Sequence, residues 1–242
     1  MTNLLINVDH VATLRNARRE TFPDPVRAAM LCESAGAAGV VFHLREDRRH
    51  ITERDVRLLK ETVRGKLDFE LSTDEEVVDI CCATQPDLAT LVPERRDEVT
   101  TEGGLDVRTH DERLEDVIAR LFGAGVREVA LFVDPAPEQI EAAARTSANA
   151  IELHTGAFAN AETPEAEREE AQVLARAAAQ AAEHGLRVHA GHGLDYRNYA
   201  TFREAAGAHV KEVSVGFAVV ARAVLVGMEQ AVREMRELVA AH

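Results

Sequence analysis

The chain lacks the features that would place it in several large classes. Three cysteines among 242 residues, with Cys81 and Cys82 adjacent, offer neither a disulfide framework nor a CxxC or zinc-ribbon spacing. No apolar stretch approaches the ~20 residues of a membrane span, and the opening run meets Asp9 too early for a secretory signal. A reduced, cytoplasmic protein is expected. Basic residues are in deficit: 28 Lys and Arg stand against 42 Asp and Glu, a net charge of −14. That balance argues against nucleic acid or a membrane surface as a partner. There is no low-complexity linker and no break in composition, so residues 1–242 read as one domain.

The charge that is present is unevenly spread. Residues 1–50 carry seven Arg and six acidic residues, so the excess of negative charge lies in the remainder. Arginines gathered near one end of an acidic chain point to an anionic ligand there.

Short apolar runs alternate with helical patterns throughout. The strand candidates are Leu4–Val8, Val40–His43, Leu67–Leu71, Leu88–Val92, Val129–Val133, Ile151–His154, Arg187–Ala190 and Glu212–Val215, the pattern of strands buried on both faces. Helices are expected over Pro25–Ala35, Glu53–Val63, Asp74–Ala83, Glu112–Phe122, Pro137–Arg145, Glu165–Glu183, Tyr196–Ala205 and Ala218–Ala240. Asp24 and Thr163 precede prolines as N-caps, and Gly36, Gly123 and Gly185 stand where helices should stop. Eight such units predict an α/β fold, a (β/α)₈ barrel with extra short helices in its loops. No G-x-G-x-x-G follows the first strand, which disfavours an open dinucleotide-binding sheet.

In such barrels chemistry is built at the C-terminal ends of the strands. Strand one ends in Asp9-His10, strand two in His43-Leu-Arg45 with His50 nearby, and strand three carries Glu70. Strand four leads to Glu94 and to Thr100-Thr-Glu-Gly-Gly104. Strand six holds Glu152 and His154 on one face, strand seven runs into Gly191-His192-Gly193, and strand eight ends at Gly216. Singly, each reads as a satisfied polar residue or a turn glycine, and Arg45–Arg49 as a solvated charge run. Gathered at one end, the set suits acid–base work. Arg15, Arg18, Arg45, Arg48 and Arg49 offer forked donors for phosphate, and the loops after strands seven and eight are a common phosphate site in barrels.

Six stretches carry a family resemblance: Asn7-Val-Asp-His-Val-Ala-Thr-Leu-Arg-Asn-Ala-Arg18, His43-Leu-Arg-Glu-Asp-Arg-Arg-His-Ile51, Leu91-Val-Pro-Glu94, Val99-Thr-Thr-Glu-Gly-Gly-Leu-Asp106, Ile151-Glu-Leu-His-Thr-Gly156 and Ala190-Gly-His-Gly-Leu194. In this order they resemble the pyridoxine 5′-phosphate synthase family of deoxyxylulose-5-phosphate-dependent vitamin B6 synthesis. The resemblance implies a barrel enzyme, an octamer built from dimers, that needs neither metal nor organic cofactor. It would condense 3-amino-2-oxopropyl phosphate with 1-deoxy-D-xylulose 5-phosphate to pyridoxine 5′-phosphate, phosphate and water. Carried over by motif, His43 and Glu70 are proton acceptors, His192 a proton donor, and Glu152 stabilises a transition state. Asn7, Arg18, Gly193, Gly216 and Phe217 are implied for the aminoketone phosphate. Asp9, His10, Arg45, His50 and Thr100 are implied for the deoxyxylulose phosphate.

Five residues at four places depart from the family's usual pattern. His189 replaces an Asn before Ala-Gly-His-Gly, and Ser214-Val-Gly-Phe217 replaces Asn-x-Gly-His. Ala221-Arg-Ala223 stands for Gly-Arg-Ala, and Asp68 for an Asn before Glu70. Phenylalanine at 217 has no ring N–H to give a phosphate, so backbone donors at Gly216 and Phe217 are expected to serve, with His189 compensating. Two other readings compete. Strand-end His, Asp and Glu are also ligands of metal-dependent barrel hydrolases, although no HxH or HExxH spacing occurs. The altered strand-eight motif also fits a non-catalytic paralogue that binds a phosphorylated metabolite.

Overall fold

Every expected strand forms, within two residues of its expected ends. The computed structural model describes residues 2–94, 103–109 and 111–241. Its strands are β1 (Asn3–Asn7), β2 (Gly39–His43), β3 (Lys66–Leu71), β4 (Leu88–Leu91), β5 (Glu128–Val133), β6 (Ala150–His154), β7 (Arg187–Gly191) and β8 (Val210–Val215). All pair in parallel, in sequence order, and β8 returns to β1, closing the barrel. All residues of β2, β4 and β5 are buried. Apolar side chains on one face meet the helices, and alternate positions fill the interior.

The helices are α1 (Asp9–Asn16), α2 (Pro25–Ser34), α3 (Glu53–Thr62), α4 (Glu75–Thr84), α5 (Asp111–Ala124), α6 (Pro137–Arg145), α7 (Gly156–Ala159), α8 (Pro164–Glu183), α9 (Tyr199–Ala206), α10 (Phe217–Val226) and α11 (Met228–Ala240). α8 shows why they form where they do. Thr163 caps it, its hydroxyl accepting from the Ala166 N–H at 3.2 Å. Ala171, Leu174, Ala177, Ala178 and Ala181 bury one stripe at helical spacing against the barrel. Asp24 likewise caps α2 through the Val26 N–H.

Three helix expectations need correction. The single helix over Ala218–Ala240 is two, divided at Gly227, whose φ of +86° lies where glycine is favoured. Gly123 lies inside α5, and Gly125, at φ +103°, follows its end. α1 was not expected: it starts at Asp9 directly after β1 and buries Asp9, Val11, Ala12 and Arg15. Among the described residues, no helix is long and apolar enough to cross a membrane.

Candidate active site

A cavity of about 950 Å³ opens at the C-terminal ends of the strands. β1 and the first turn of α1 bring Asn7, Asp9 and His10 to its wall; β2 and its loop bring His43, Arg45 and His50. Glu70 comes from β3, Glu152 and His154 from β6, and His192 and Gly193 follow β7. Gly216 and Phe217 stand where β8 passes into α10. Among the described residues, one expected site residue is not in this wall. Arg18 is exposed just beyond α1, and Thr100 lies outside the described residues.

Hydrogen bonds lace the first three strands together. The Asn7 side-chain amide donates to Asp9 Oδ2 at 3.1 Å and to Glu70 Oε2 at 3.4 Å, and the Asp9 N–H donates to Asn7 Oδ1 at 2.8 Å. Asp9 Oδ1 accepts the His43 backbone N–H at 2.9 Å. After β7 the chain turns through the left-handed region at His192, φ +68°, and then at Gly193, φ +127°. The Thr155 hydroxyl holds this turn by donating to the carbonyls of Gly191 and His192 at 2.9 and 3.0 Å. A Cβ on Gly193 would lie 2.5 Å from that of Ala159, so this close turn requires glycine.

Burial sets the proton chemistry of the wall. Glu70 is pushed well above the ordinary carboxylate range, first by burial and then by the neighbouring charges of Glu152, Asp9 and Asp68. Glu152 is raised to about 7 by burial and by Glu212 beneath it. Burial lowers His10 and His50, and takes His192 down to about 4, with the positive charges of His154 and His10 opposing its protonation. In the free site Glu70 holds its proton near neutrality, Glu152 shares its own with solvent, and His192 is neutral. Such groups exchange protons readily once a charged substrate alters their surroundings.

Of the five arginines expected to serve phosphate, Arg45 alone lines the cavity. Arg15 is buried in a forked pair with Asp55, at 2.8 and 2.7 Å. Arg48 bonds Glu53 and Glu76, and Arg49 bonds Asp47. The other anion-binding feature is α10. Its N-cap is Gly216, no side chain caps it, and its first N–H groups have no partner within the helix. Phe217 is 69 % exposed at this end, its ring edge-on to His10 at 5.4 Å between centroids.

His189 is the clearest correction. It does not line the cavity and cannot compensate for Phe217 there. Along β7, residues 187, 189 and 191 share a face, so His189 points inward one layer below Gly191. Its Nε2 lies 2.8 Å from Glu128 Oε1 and 3.4 Å from Glu212 Oε1. Lys66 bonds both of these glutamates, and Arg187 reaches them at 3.3 and 3.5 Å. This is a charge network closing the N-terminal floor of the barrel.

Two further neighbours bond residues of the wall: Asp134, not expected from the sequence, and Glu94, expected at the end of strand four without a role. Asp134, just after β5, lies 2.8 Å from His154 Nδ1 and accepts the Gly104 N–H at 3.0 Å. Its place at a strand end was the available signal. Glu94 meets His43 Nε2 at 2.8 Å; 51 residues separate the two, and no spacing rule joins them. Among the described residues, two groups of donors could hold a metal: Asp9, His43 and Glu70 at the mouth, and Glu128, His189 and Glu212 at the floor. At the floor Lys66 and Arg187 already supply the positive charge. At the mouth Asn7 and the His43 N–H already bond Asp9, and Asn7 also bonds Glu70.

Comparison with known proteins agrees with this arrangement. The family model described as pyridoxal phosphate biosynthesis protein PdxJ matches residues 4–241. The chain belongs to that family. It is 72% identical over 240 residues to the pyridoxine 5′-phosphate synthase of Salinibacter ruber, covering 99% of this chain and 98% of that protein. It is 52% identical over 237 residues to the synthase of a Synechococcus species, covering 98% of each. Among solved structures, the tryptophan synthase A-subunit of Pyrococcus furiosus matches with a TM-score of 0.60 at 11% identity, over 97% of both chains. That likeness is one of fold. The PdxJ match runs from β1 into α11, so it takes in every strand that feeds the cavity.

Proposed function

We propose that this chain is a pyridoxine 5′-phosphate synthase, a single barrel domain over residues 1–242. It condenses 3-amino-2-oxopropyl phosphate with 1-deoxy-D-xylulose 5-phosphate, releasing phosphate and water. The observation that carries the reading is one cavity in which proton-holding carboxyls, neutral histidines, Arg45 and an uncapped helix N-terminus converge, in a chain 72% identical to a named synthase.

Each role follows from its surroundings. Ring closure needs an amine freed of its proton and carbons deprotonated beside carbonyls. Glu70 holds a proton in the free site; the ammonium group of the entering aminoketone lowers its proton affinity and leaves it ionised to act as base, and His43 is the second acceptor. Glu152 steadies positive charge that develops on the condensing nitrogen. His192 is the donor: a phosphate dianion close by raises its proton affinity from the low value of the free site. Gly193, Gly216 and Phe217 meet the aminoketone phosphate through backbone N–H groups, with Asn7 beside them. Asp9, His10, Arg45 and His50, with Thr100, take the deoxyxylulose phosphate.

The enzyme works in the cytoplasm as an octamer built from dimers, without metal or organic cofactor. Leu14, Phe22, Met30, Val224 and Leu225 are exposed on α1, α2, α10 and the loop before α2, and α1, α2 and α10 pack together through Val11, Ala28 and Val220. That apolar surface supports self-association. Arg18, exposed just beyond α1, is the remaining member of the set for the aminoketone phosphate.

Purified protein is mixed with both phosphorylated substrates, with and without EDTA, and pyridoxine 5′-phosphate is measured chromatographically. Product in both mixtures is expected. Product lost on chelation and restored by one divalent ion would favour metal chemistry at Asp9, His43 and Glu70. No product under any condition would favour a binding-only paralogue.

A further inference from the structure

His43 ends β2 as the register partner of Glu70. Its Nε2 lies 2.8 Å from Glu94 Oε1, and the two side chains are only 6 % and 5 % exposed. Glu94 itself does not line the cavity. Its other oxygen, Oε2, accepts the Glu46 backbone N–H at 3.2 Å and lies 3.9 Å from Arg45 Nε. One carboxylate thus spans the ring of His43 and the chain leaving β2. Burial alone would raise this carboxyl. The hydrogen bond from His43, the Glu46 N–H and Arg45 together hold it below its ordinary value, so it is ionised at neutral pH. An ionised carboxylate only accepts hydrogen bonds. The hydrogen between the two groups therefore belongs to Nε2, which leaves the lone pair of a neutral ring on Nδ1.

We propose that Glu94 is a positioning residue: it locks His43 in the Nε2–H tautomer and so makes Nδ1 the atom that takes the substrate's proton. The identity of that substrate rests on the synthase reading; the tautomer does not. The physical logic is that of the carboxylate behind the histidine base of a hydrolase triad, where an amide in its place selects the wrong tautomer.

The Glu46 N–H makes the test sharp. It can only donate, so in Glu94→Gln the amide oxygen must face it and the NH₂ must face His43. That NH₂ donates into Nε2 and drives the ring proton to Nδ1, blocking the base. Glu94→Ala removes the carboxylate without imposing a tautomer. The expected order is therefore unusual: Glu94→Gln, the smaller steric change, is the slower enzyme. Its kcat falls at least ~10²-fold while KM for both phosphorylated substrates stays within about threefold. ¹⁵N spectra of imidazole-labelled protein should show Nε2 protonated in wild type, Nδ1 protonated in Glu94→Gln, and a mixture in Glu94→Ala. Unfolding midpoints of both variants are recorded alongside.

A wild-type ring protonated at Nδ1, a Glu94→Gln ring that keeps its proton on Nε2, or a Glu94→Gln kcat within threefold of wild type each overturns the proposal. If Glu94→Gln does not fold, a purely Nε2–H ring in Glu94→Ala does the same. A wild-type chain without synthase activity would sink the reading of the reaction alone, since the spectra decide the role of Glu94 independently.

Discussion

At the floor of the barrel, Glu128 lies 3.0 Å from Lys66 Nζ and 2.8 Å from His189 Nε2. Burial alone would raise its carboxyl, but His189 and Lys66 hold it down at about 2. At the mouth, the groups that press on Glu70 beyond burial itself are Glu152, Asp9 and Asp68, all acidic. Both ends thus bury carboxyls and histidines in the same barrel. What separates them is the sign of the neighbours. Cations at the floor hold Glu128 ionised, whereas at the mouth acidic neighbours favour the protonated form of Glu70. A glutamate with its counter-charge built in keeps its charge, and one among acidic neighbours keeps its proton.

The largest expected effect breaks this comparison most directly. Glu70→Gln should lower kcat at least ~10²-fold, as loss of a general base does, while thermal unfolding at pH 7 shifts little. The native carboxyl already holds a proton, and the amide is its near isostere. Glu128→Gln should do the reverse. It leaves turnover per folded molecule intact and costs up to about 3 kcal/mol of stability, the low end for a broken buried pair because Lys66 and Arg187 remain partly solvated. Steady-state kinetics and denaturant melts on both variants check the pair. A Glu70→Gln enzyme with near-normal turnover would remove that residue from the mechanism.

Much of this contrast was out of reach of the sequence, for definite reasons. The strands were legible because burial on both faces writes them as apolar runs, and strand order follows from alternation with helices. Strand ends then located the mouth, which is why His43, Glu70, Glu152 and His192 could be named together. The layer on which an inward residue sits is harder to read. His189 stands two residues before Gly191, and that offset places it a layer deeper, beside Glu128 and Glu212 from other strands. Pairings across the barrel, such as Glu94 with His43, have no sequence signature. α1 was missed because Asp9-His10 reads as a strand-end site, although the same residues also begin a helix.

pH sharpens the comparison, because the two ends should respond in opposite directions. Glu152 has its proton affinity raised, from 4.5 to about 7. It therefore disfavours folding increasingly as pH climbs from about 4.5 to 7, by up to about 3 kcal/mol, and no further above that. Glu128 is lowered to about 2, so the stability it contributes is complete above about pH 4.5 and is lost as pH falls through 2. Glu152→Gln should then match wild type near pH 4 and exceed its stability at pH 8. Glu128→Gln should be weaker at pH 7 and converge with wild type as pH approaches 2. Urea titrations across this range give the four values needed. A Glu152→Gln advantage that is the same at pH 4 and pH 8 would mean that the carboxyl is ionised throughout.

The smallest effect is expected at Phe217. A histidine there could give a phosphate oxygen one ring N–H that phenylalanine cannot. The N-terminus of α10 is uncapped by any side chain, however, and its backbone N–H groups remain whatever residue stands at 217. Phe217 also meets His10 edge-on at 5.4 Å, a packing that an imidazole can replace. His189 cannot contribute, since it is committed to the floor. Phe217→His should therefore change the affinity for the aminoketone phosphate by less than about tenfold, or ~1.4 kcal/mol. Gly216→Val should do more harm, because a Cβ at 216 already comes within 3.1 Å of the Asn7 Cβ and would push α10 away from the site. Competition kinetics with the aminoketone varied at saturating deoxyxylulose phosphate measures both. Should Phe217→His turn an inactive protein into an active synthase, the side chain at 217 rather than the helix terminus holds the phosphate, and the native mouth is a binding site without turnover.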